Sequence, residues 1–434
     1  MQTHFTDEQL ANPLIQQADS ILRKCVHCGF CTATCPTFVL TGDERDSPRG
    51  RIWMIRDMLE NDDEPASPET RYHLDRCLTC LSCTTTCPSG VDYMHLIDIG
   101  REHVEHTGKR DLLDSLMRKM LGFLLPRASL FHKALLFAWL AQPLKNLFSG
   151  RLRAMLALAP RSYRALDPVG MTDMRYRPKD YPAKRVALLA GCAQRAINPD
   201  INAATISLLN RFGVEVVVKE KAYCCGALSH HINDEAGAKA AMRASVAAWA
   251  EELFNEGLDA VIVNTSGCGT TIKDYVNLLA DDPDYADRAA QISAMAKDIS
   301  EFLHDSRLLT PLSDRQMRIG YHAACSLQHG QKITTAPKAL LQNAGFEVVQ
   351  AKESHLCCGS AGVYNVLQPE LASQLQDRKL GHINDLNADI VVAGNLGCIN
   401  QLRDSHAPIM HIIELLEWAY GGKAPRDLPA QFRK

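Results

Sequence analysis

In the C-terminal half of the chain, apolar residues alternate between short continuous runs and stripes of helical spacing. Val186-Ala187-Leu188-Leu189 is a continuous run that predicts a buried strand. Ile201, Ala204, Leu208, Leu209 and Phe212 then keep the spacing of a helix, Gly213 follows as its C-terminal cap, and Val214 to Val218 predict the next strand. The same order returns downstream, with a helix ending near Gly345 and a predicted strand at Phe346-Glu347-Val348-Val349. Each copy continues with a longer helix and a second buried strand, Ala260 to Asn264 in one and Ile390 to Ala393 in the other. Strands alternating with helices predict parallel α/β units, whose strand ends gather functional loops at one edge.

The N-terminal part has a different texture. It predicts a helix running through Leu59, and the acidic, proline-containing stretch Asn61 to Pro68 reads as a surface loop. Proline, glycine and charge crowd together again from Pro168 to Pro182, which predicts a linker. Between Ser115 and Leu166 there is no Asp or Glu, but there are nine basic residues: Arg118, Lys119, Arg127, Lys133, Lys145, Arg151, Arg153, Arg161 and Arg164. The longest apolar stretch there, Ala134 to Ala141, is far short of the roughly 20 residues that span a bilayer. Two readings stay open for this segment. It lies in a membrane interface or docks on an acidic partner, or it is a helical hairpin packed on its own domains with a solvated basic face.

At 434 residues, 46% apolar and 22% charged, the chain has the composition of a globular protein of about three domains. A net charge of -3 implies no general attraction to nucleic acid. The cysteines change the picture. Cys25, Cys28, Cys31 and Cys35 precede Pro36, and Cys77, Cys80, Cys83 and Cys87 precede Pro88, so both runs spell the ligand pattern of bacterial 4Fe-4S ferredoxins. In two-cluster ferredoxins the fourth cysteine of each run serves the other cluster. One cluster is therefore assigned to Cys25, Cys28, Cys31 and Cys87, and the other to Cys77, Cys80, Cys83 and Cys35. The proline after each crossing cysteine ends the loop where the ligand must point back. Structural zinc needs only paired Cys-x-x-Cys knuckles, without the third and fourth cysteines and the proline. Disulfides do not suit a chain that opens Met-Gln-Thr-His-Phe-Thr-Asp-Glu, without the features of a secretory signal, and is expected in a reducing compartment.

The other eight cysteines belong to the tandem repeat. Cys192, the pair Cys224-Cys225 before Gly226, and Cys268 recur as Cys325, the pair Cys357-Cys358 before Gly359, and Cys398. The first cysteines of the copies are 133 residues apart, and 32 residues separate the first cysteine from the pair in both. Four cysteines per copy converge at strand ends beside glycines that let backbone approach a bulky group, so a further cluster or a redox thiol site is the expected occupant. The bland alternative is buried free cysteines acting as small apolar residues. His230, His231, His322, His329 and His355 lie nearby, and taken singly each reads as a hydrogen-bonded structural residue.

Ala18-Asp19-Ser20-Ile21-Leu22 leading into Cys25-Val26-His27-Cys28-Gly29-Phe30-Cys31, Ser47-Pro48-Arg49-Gly50-Arg51, Thr265-Ser266-Gly267-Cys268-Gly269 and Leu356-Cys357-Cys358-Gly359-Ser360-Ala361-Gly362 carry a resemblance over nearly the whole length. The chain resembles the iron-sulfur subunits of bacterial glycolate oxidase. More broadly, its repeats resemble the cysteine-rich domains of heterodisulfide reductase, anaerobic glycerol-3-phosphate dehydrogenase and lactate-utilisation proteins. The resemblance implies a subunit that takes electrons from FAD-bearing partners oxidising glycolate and passes them to a membrane quinone pool, on the cytoplasmic face of the inner membrane. In the wider group the last cysteine often begins a Cys-x-x-Cys; here those positions are Thr271 and Gln401, and position 323 is alanine, so a five-thiolate cluster lacks a ligand.

The expected architecture is α+β and multi-domain. A helical two-cluster 4Fe-4S ferredoxin domain (1–105) and a basic apolar helical segment with linker (106–182) precede two α/β cysteine-rich repeats (183–310 and 311–434). No Gly-x-Gly-x-x-Gly follows a predicted strand and no Walker A run is present, so nothing here predicts a cradle for nucleotide phosphates. Removing hydride from a 2-hydroxy acid moves two electrons and needs an organic acceptor, whereas 4Fe-4S clusters take one, so the flavin is expected on another polypeptide and no catalytic residue on this chain. The alternatives are a thiol or disulfide redox enzyme working at the repeats, the equivalent subunit for lactate or glycerol-3-phosphate, and a scaffold whose second half only docks partners.

Overall fold

The computed structural model describes residues 1–313 and 315–433. The N-terminal region is helical. Ile15, Ala18, Ile21 and Leu22 form the buried stripe of the helix Pro13–Lys24, which starts with proline at its first position behind the cap Asn12. Ser47 caps the helix Pro48–Glu60 by accepting from the Gly50 amide, and Ile52, Ile55 and Leu59 face inward. The helix Tyr93–Thr107 crosses it so closely that a Cβ on Gly100 would stand 2.8 Å from the Ile55 side chain. The stretch from Asn61 to Ser67 is the predicted surface loop, pinned by the single buried residue Ala66.

The C-terminal half contains two sheets. The first runs in the order β1-β3-β2-β4-β5, where β1 is Met174–Tyr176, β2 Lys184–Leu188, β3 Val214–Val218, β4 Ala260–Val263 and β5 Ala296–Asp298. The second runs β7-β6-β8-β9, where β6 is Arg318–His322, β7 Glu347–Gln350, β8 Ile390–Ala393 and β9 Ile409–His411. Every pair is parallel except β1 with β3. Removing β1 leaves one topology written twice, so the sequence repeat is a structural duplication.

The stretch Pro168 to Pro182, expected as a linker, holds β1, which pairs antiparallel with β3. That cover buries β3 along its length, while its counterpart β7, with no such neighbour, stays half exposed. One apolar core joins the two sheets, running from Val186, Leu188 and Ile201 to Ile319, Tyr321 and Ile413. Ser207 and Arg211 on the helix Asp200–Arg211 both bond Glu417 on the helix Ile412–Ala419, at 2.8 and 3.3 Å.

The basic segment forms the helices Leu112–Leu124, Ala128–Ala141 and Gly150–Ala157. Among the described residues no single helix is long and apolar enough to cross a membrane; only Leu112–Leu124 and Ala128–Leu147 taken together reach that composition, across a 118° bend. Part of the hairpin packs inward, with Leu121 set among Ile232, Val363, Val366 and Leu367. Its other face does not. Leu112 and Leu113 are 88% and 81% exposed, and Leu116, Phe123, Phe137, Leu140 and Leu147 are exposed with them.

Candidate metal centres

The two N-terminal cysteine runs fold alike because their backbones turn at the same places. His27 and Gly29 in the first run, and Thr79 and Leu81 in the second, all have positive φ, between 49° and 83°. A left-handed residue on each side of the second cysteine curls the loop and turns amides inward, as at other anion and iron-sulfur sites. The Thr79 amide accordingly donates to the Cys77 sulfur at 3.4 Å. Pro36 ends the first loop by opening the helix Pro36–Thr41, which leaves Cys35 as its cap residue.

Cys25, Cys28, Cys31 and Cys87 line one recess of about 440 Å³, with Arg49, Ile52 and Tyr93 among the other walls. Cys35, Cys77, Cys80 and Cys83 line a second of about 310 Å³. The first recess thus gathers Cys25, Cys28 and Cys31 from one run with Cys87 and, at the shared wall, Cys83 from the other; the second gathers Cys77, Cys80 and Cys83 from one run and Cys35 from the other. Both recesses open to solvent, and what points to a polyatomic inorganic group is the four thiols around each in the Cys-x-x-Cys-x-x-Cys-x-x-x-Cys-Pro spelling. Cys83, Tyr93 and Pro48 line both recesses, so the two share a wall.

The recesses differ in exposure and charge. Cys28 is exposed, and Val26 and Phe30 stand out into solvent on either side of it. The second recess is lined by the buried Cys35, Cys77 and Cys83 and the half-buried Cys80, and a buried arginine faces it. Arg51, 1% exposed, donates to the His73 carbonyl at 2.8 Å and to Thr37 Oγ1 at 3.2 Å, and its Nη1 lies 3.9 Å from Cys35 Sγ. Arg101 donates to the Cys77 carbonyl at 2.6 Å and to Thr79 Oγ1 at 2.8 Å. Burial pushes the Cys77 thiol up, but Arg51 and Arg101 outweigh it and hold Cys77 below its ordinary value. Cys80 and Cys83, without such neighbours, are pushed well above theirs by burial, and burial raises Cys31 to about 11. In the sequence Arg51 stands within Ser47-Pro48-Arg49-Gly50-Arg51, where nothing local marks it as a neighbour of the cysteines.

The eight repeat cysteines all lie beyond the C-terminal ends of strands. Cys192 follows β2, Cys224 and Cys225 follow β3, and Cys268 sits in the helix Ser266–Lys273 after β4. In the second copy Cys325, the pair Cys357-Cys358, and Cys398 follow β6, β7 and β8. Gly226 and Gly359 have φ of +81° and +90°, and an added Cβ would stand 2.9 Å from the Ala238 carbonyl oxygen and 2.6 Å from that of Ala372. Only glycine lets the pair sit so close to the helix behind it. Sulfur meets sulfur at 3.6 Å between Cys192 and Cys224, and at 3.8 Å between Cys325 and Cys357. A bond to Cys358, against burial, together with His322 holds Cys398 down to about 6.

These sites meet one another and the ferredoxin region. Ser266 and Ser326 bond at 2.7 Å between the copies, and Asn395 donates to Ser266 at 3.0 Å. Thr85 bonds His329 at 2.8 Å, and the Tyr364 hydroxyl donates to the Arg76 carbonyl at 3.0 Å. Leu78 and Cys80, from the second recess, pack in one apolar cluster with Cys357 and Cys325. Of the remaining histidines, His230 bonds Asp98 at 3.2 Å, His231 is held down to about 4 by burial, and His355 offers its carbonyl to His329.

Residues 21–91 match the family described as a 4Fe-4S dicluster domain, and residues 186–273 and 319–403 each match the family described as a cysteine-rich domain. The chain is 39% identical to the glycolate oxidase iron-sulfur subunit of Escherichia coli (strain K12), over 96% of this chain and 99% of that protein. It is 30% identical to the probable glycolate oxidase iron-sulfur subunit of Bacillus subtilis (strain 168), over 98% of this chain and 100% of that protein. A solved structure of a hypothetical protein from Helicobacter pylori shares the fold, with a TM-score of 0.53 at 12% identity, covering 99% of this chain and 76% of that one. Two crossed cysteine quartets, a duplicated cysteine-rich half and full-length similarity to both subunits agree: the chain belongs to the glycolate oxidase iron-sulfur subunit family.

Proposed function

We propose that this chain relays single electrons from a flavin-bearing partner subunit that oxidises glycolate to a quinone at a membrane surface. The observation that carries the reading is the pair of crossed quartets lining recesses with a common wall. In this reading Cys25, Cys28, Cys31 and Cys87 hold one 4Fe-4S cluster and Cys35, Cys77, Cys80 and Cys83 the other; each supplies one-electron storage when bound. The residues around them set direction. Val26 and Phe30 give the Cys28 loop an exposed apolar rim on which a partner protein can dock. Arg51 and Arg101 put buried positive charge beside the inner quartet, whereas Arg49 at the outer recess is partly exposed and paired with Glu44, so added negative charge is favoured more at the inner quartet.

The basic hairpin supports a membrane as the far side. Leu112, Leu113, Leu116, Lys119 and Phe123 form one outward stripe on its first helix, and Lys133, Phe137 and Leu140 another on its second. Apolar side chains interleaved with Lys and Arg, with Asp114 the one acid of these two helices and turned inward to Arg110, Arg118 and Arg151, suit an anionic lipid surface. Arg118, on the inner face of the same helix, lines a crevice of about 400 Å³ with Cys77, Thr79 and Arg101. That crevice joins the hairpin to the inner quartet.

The test is anaerobic purification of the whole complex. About eight irons per chain in two 4Fe-4S clusters, and reduction of both by the flavoprotein after glycolate is added, are expected. A complex in which glycolate reduces the flavin and leaves both clusters oxidised defeats the proposal.

A further inference from the structure

The segment Cys77-Leu78-Thr79 has two sides. One lines the inner ferredoxin recess, and the other lines the crevice beneath the basic hairpin. A molecule lodged in that crevice is separated from the inner quartet only by the loop that carries Cys77.

Two kinds of side chain line the crevice. The polar kind is Thr79, Arg101, Arg118 and His231, with Asp75 beside them. Arg101 donates to the Cys77 carbonyl and to Thr79 Oγ1 at 2.6 and 2.8 Å, and Arg118 is paired with Asp114 at 2.9 Å and Asp75 at 3.2 Å. Both guanidiniums are thereby fixed. Thr79 Oγ1 accepts from Arg101 and keeps its own hydrogen to give. His231 packs 3.6 Å from the point that a Cβ on Gly362 would occupy, and among the described residues its ring nitrogens take no hydrogen-bond partner. Burial holds His231 down to about 4, so at neutral pH the ring is uncharged, with one N–H to donate. A desolvated imidazole without partners is costly unless something else in the crevice meets it.

The apolar kind is Ala361, Val363 and Leu367. Val363 and Leu367 also belong to the apolar cluster beneath the hairpin, with Leu121, Met117 and Met120 of the helix Leu112–Leu124. Met117 and Met120 are partly buried and stand four residues on from the exposed Leu113 and Leu116, so each pair adjoins on the helix surface. An apolar path thus leads from the outward stripe of the hairpin to the crevice, through unbranched side chains that repack readily.

Free neutral donors beside a redox loop, reached by an apolar path, suit a small amphiphile with acceptor oxygens on its head. A free anion fits worse, because Arg118 is already paired with two carboxylates and one of them, Asp75, lines the crevice itself. We propose that the crevice between Thr79, His231 and Val363 binds the head group of a quinone, with the tail lying along Met117 and Met120. The proposal rests on the electron relay above and gives its far end a place. Reduction adds two electrons and two protons to the quinone. The electrons arrive singly across the Cys77 loop from the reduced 4Fe-4S centre, which glycolate re-reduces through the partner flavin, and the protons come from water at the open side of the crevice. His231 donates its N–H to one quinone oxygen and holds the head group beside the loop.

The experiment uses the whole complex, purified anaerobically, with an azido-substituted quinone carrying a short isoprenoid tail as photolabel. The label is expected on residues 361–367 or 117–121, and an excess of the unsubstituted quinone should remove it. His231→Phe should raise the KM for quinone about tenfold, and His231→Gln, which keeps an N–H, should stay within about threefold of the parent. In both variants glycolate should still reduce the two clusters, a step upstream of the crevice. Label that lands elsewhere or is not displaced, or an unchanged quinone KM in His231→Phe, overturns the site. Clusters left oxidised by glycolate in the parent complex overturn the relay instead, and the photolabel, which needs no electrons, then decides the site by itself. It also decides alone if His231→Phe does not fold.

Discussion

Replacing Arg51 with glutamine should make the inner cluster harder to reduce. Arg51 is fully buried, and its Nη1 stands 3.9 Å from Cys35 Sγ, too close for solvent to enter between them and screen the charge. At that distance and an effective dielectric near 20, a unit charge pair is worth about 4 kcal/mol. The electron added on reduction spreads over four irons beyond the sulfur, which reduces the interaction to about 2 kcal/mol. For a one-electron couple, with 59 mV per tenfold, that is a fall of roughly 90 mV. The fold should survive, because Asp46, the buried carboxylate beside Arg51, keeps Arg76 and the His73 ring at 2.9 Å as partners. Redox titration followed by electron paramagnetic resonance reads both clusters separately. Arg51→Lys, which keeps the charge, should stay within about 30 mV of the parent. An inner-cluster potential that holds still or rises in Arg51→Gln refutes the argument, as does an equal fall in both clusters.

Three further outcomes follow from other parts of the molecule. His95 joins the ferredoxin region to the first repeat, bonding Asp274 at 3.1 Å and Asp92 at 2.6 Å; these carboxylates raise it to about 10. A folded pKa above the unfolded value near 6.5 means the stabilisation is whole below about pH 6.5 and is lost as pH rises through about 10, so thermal melting of His95→Gln should show a shallower alkaline decline than the parent. Gly359→Ala should cost more than about 2 kcal/mol in denaturant unfolding, since the left-handed backbone alone costs about 1–2 kcal/mol and the new Cβ meets the Ala372 carbonyl; a smaller loss would mean that the cysteine pair is loosely held. Leu113→Glu with Phe137→Glu should reduce flotation of the complex with anionic vesicles at least about tenfold, and unchanged flotation, or loss of a partner subunit in its place, would assign the hairpin to a protein interface.

Much of this arrangement is legible in the chain, and its failures have physical causes. Val214 to Val218 and Ile390 to Ala393 are strands as predicted, because fully buried parallel strands are continuous apolar runs. The run from Ala260 stops at Val263 because Asn264 turns into a buried polar network with Asn202, Thr205 and Gln194. Phe346 lies outside β7 because its amide bonds back to Leu341 at the helix end. β1 was not visible: three residues with one side chain exposed have no periodicity, and only their pairing with Val216 to Val218 makes them a strand. Arg51 reads as a solvated helix residue until Asp46, His73 and Cys35 close around it from three other segments. His322 reads as one histidine near a loop, since Cys358 and Cys398 reach it only after two further strands have been laid down beside β6.

The two repeats share a topology, yet the ferredoxin region does not treat them alike, and that accounts for how they differ. With the first copy it makes polar, partly buried contacts, His95 to Asp274 and His230 to Asp98. Against the second it buries Leu78 and Cys80 on Cys357, Cys325 and Leu371, so a cysteine of the inner quartet shares a dry interface with the repeat cysteines. A thiol cluster at such an interface cannot be solvated, and its charge must be met from within the protein. Lys379 and His322 answer that need in the second copy. The first copy has Leu189 at the histidine position, and its four thiols run from Cys192 through Cys224 and Cys225 to Cys268 with no imidazole among them. Duplication supplied two equal frames, and contact with the inner ferredoxin recess is the physical reason that only one of them needs added charge and an imidazole.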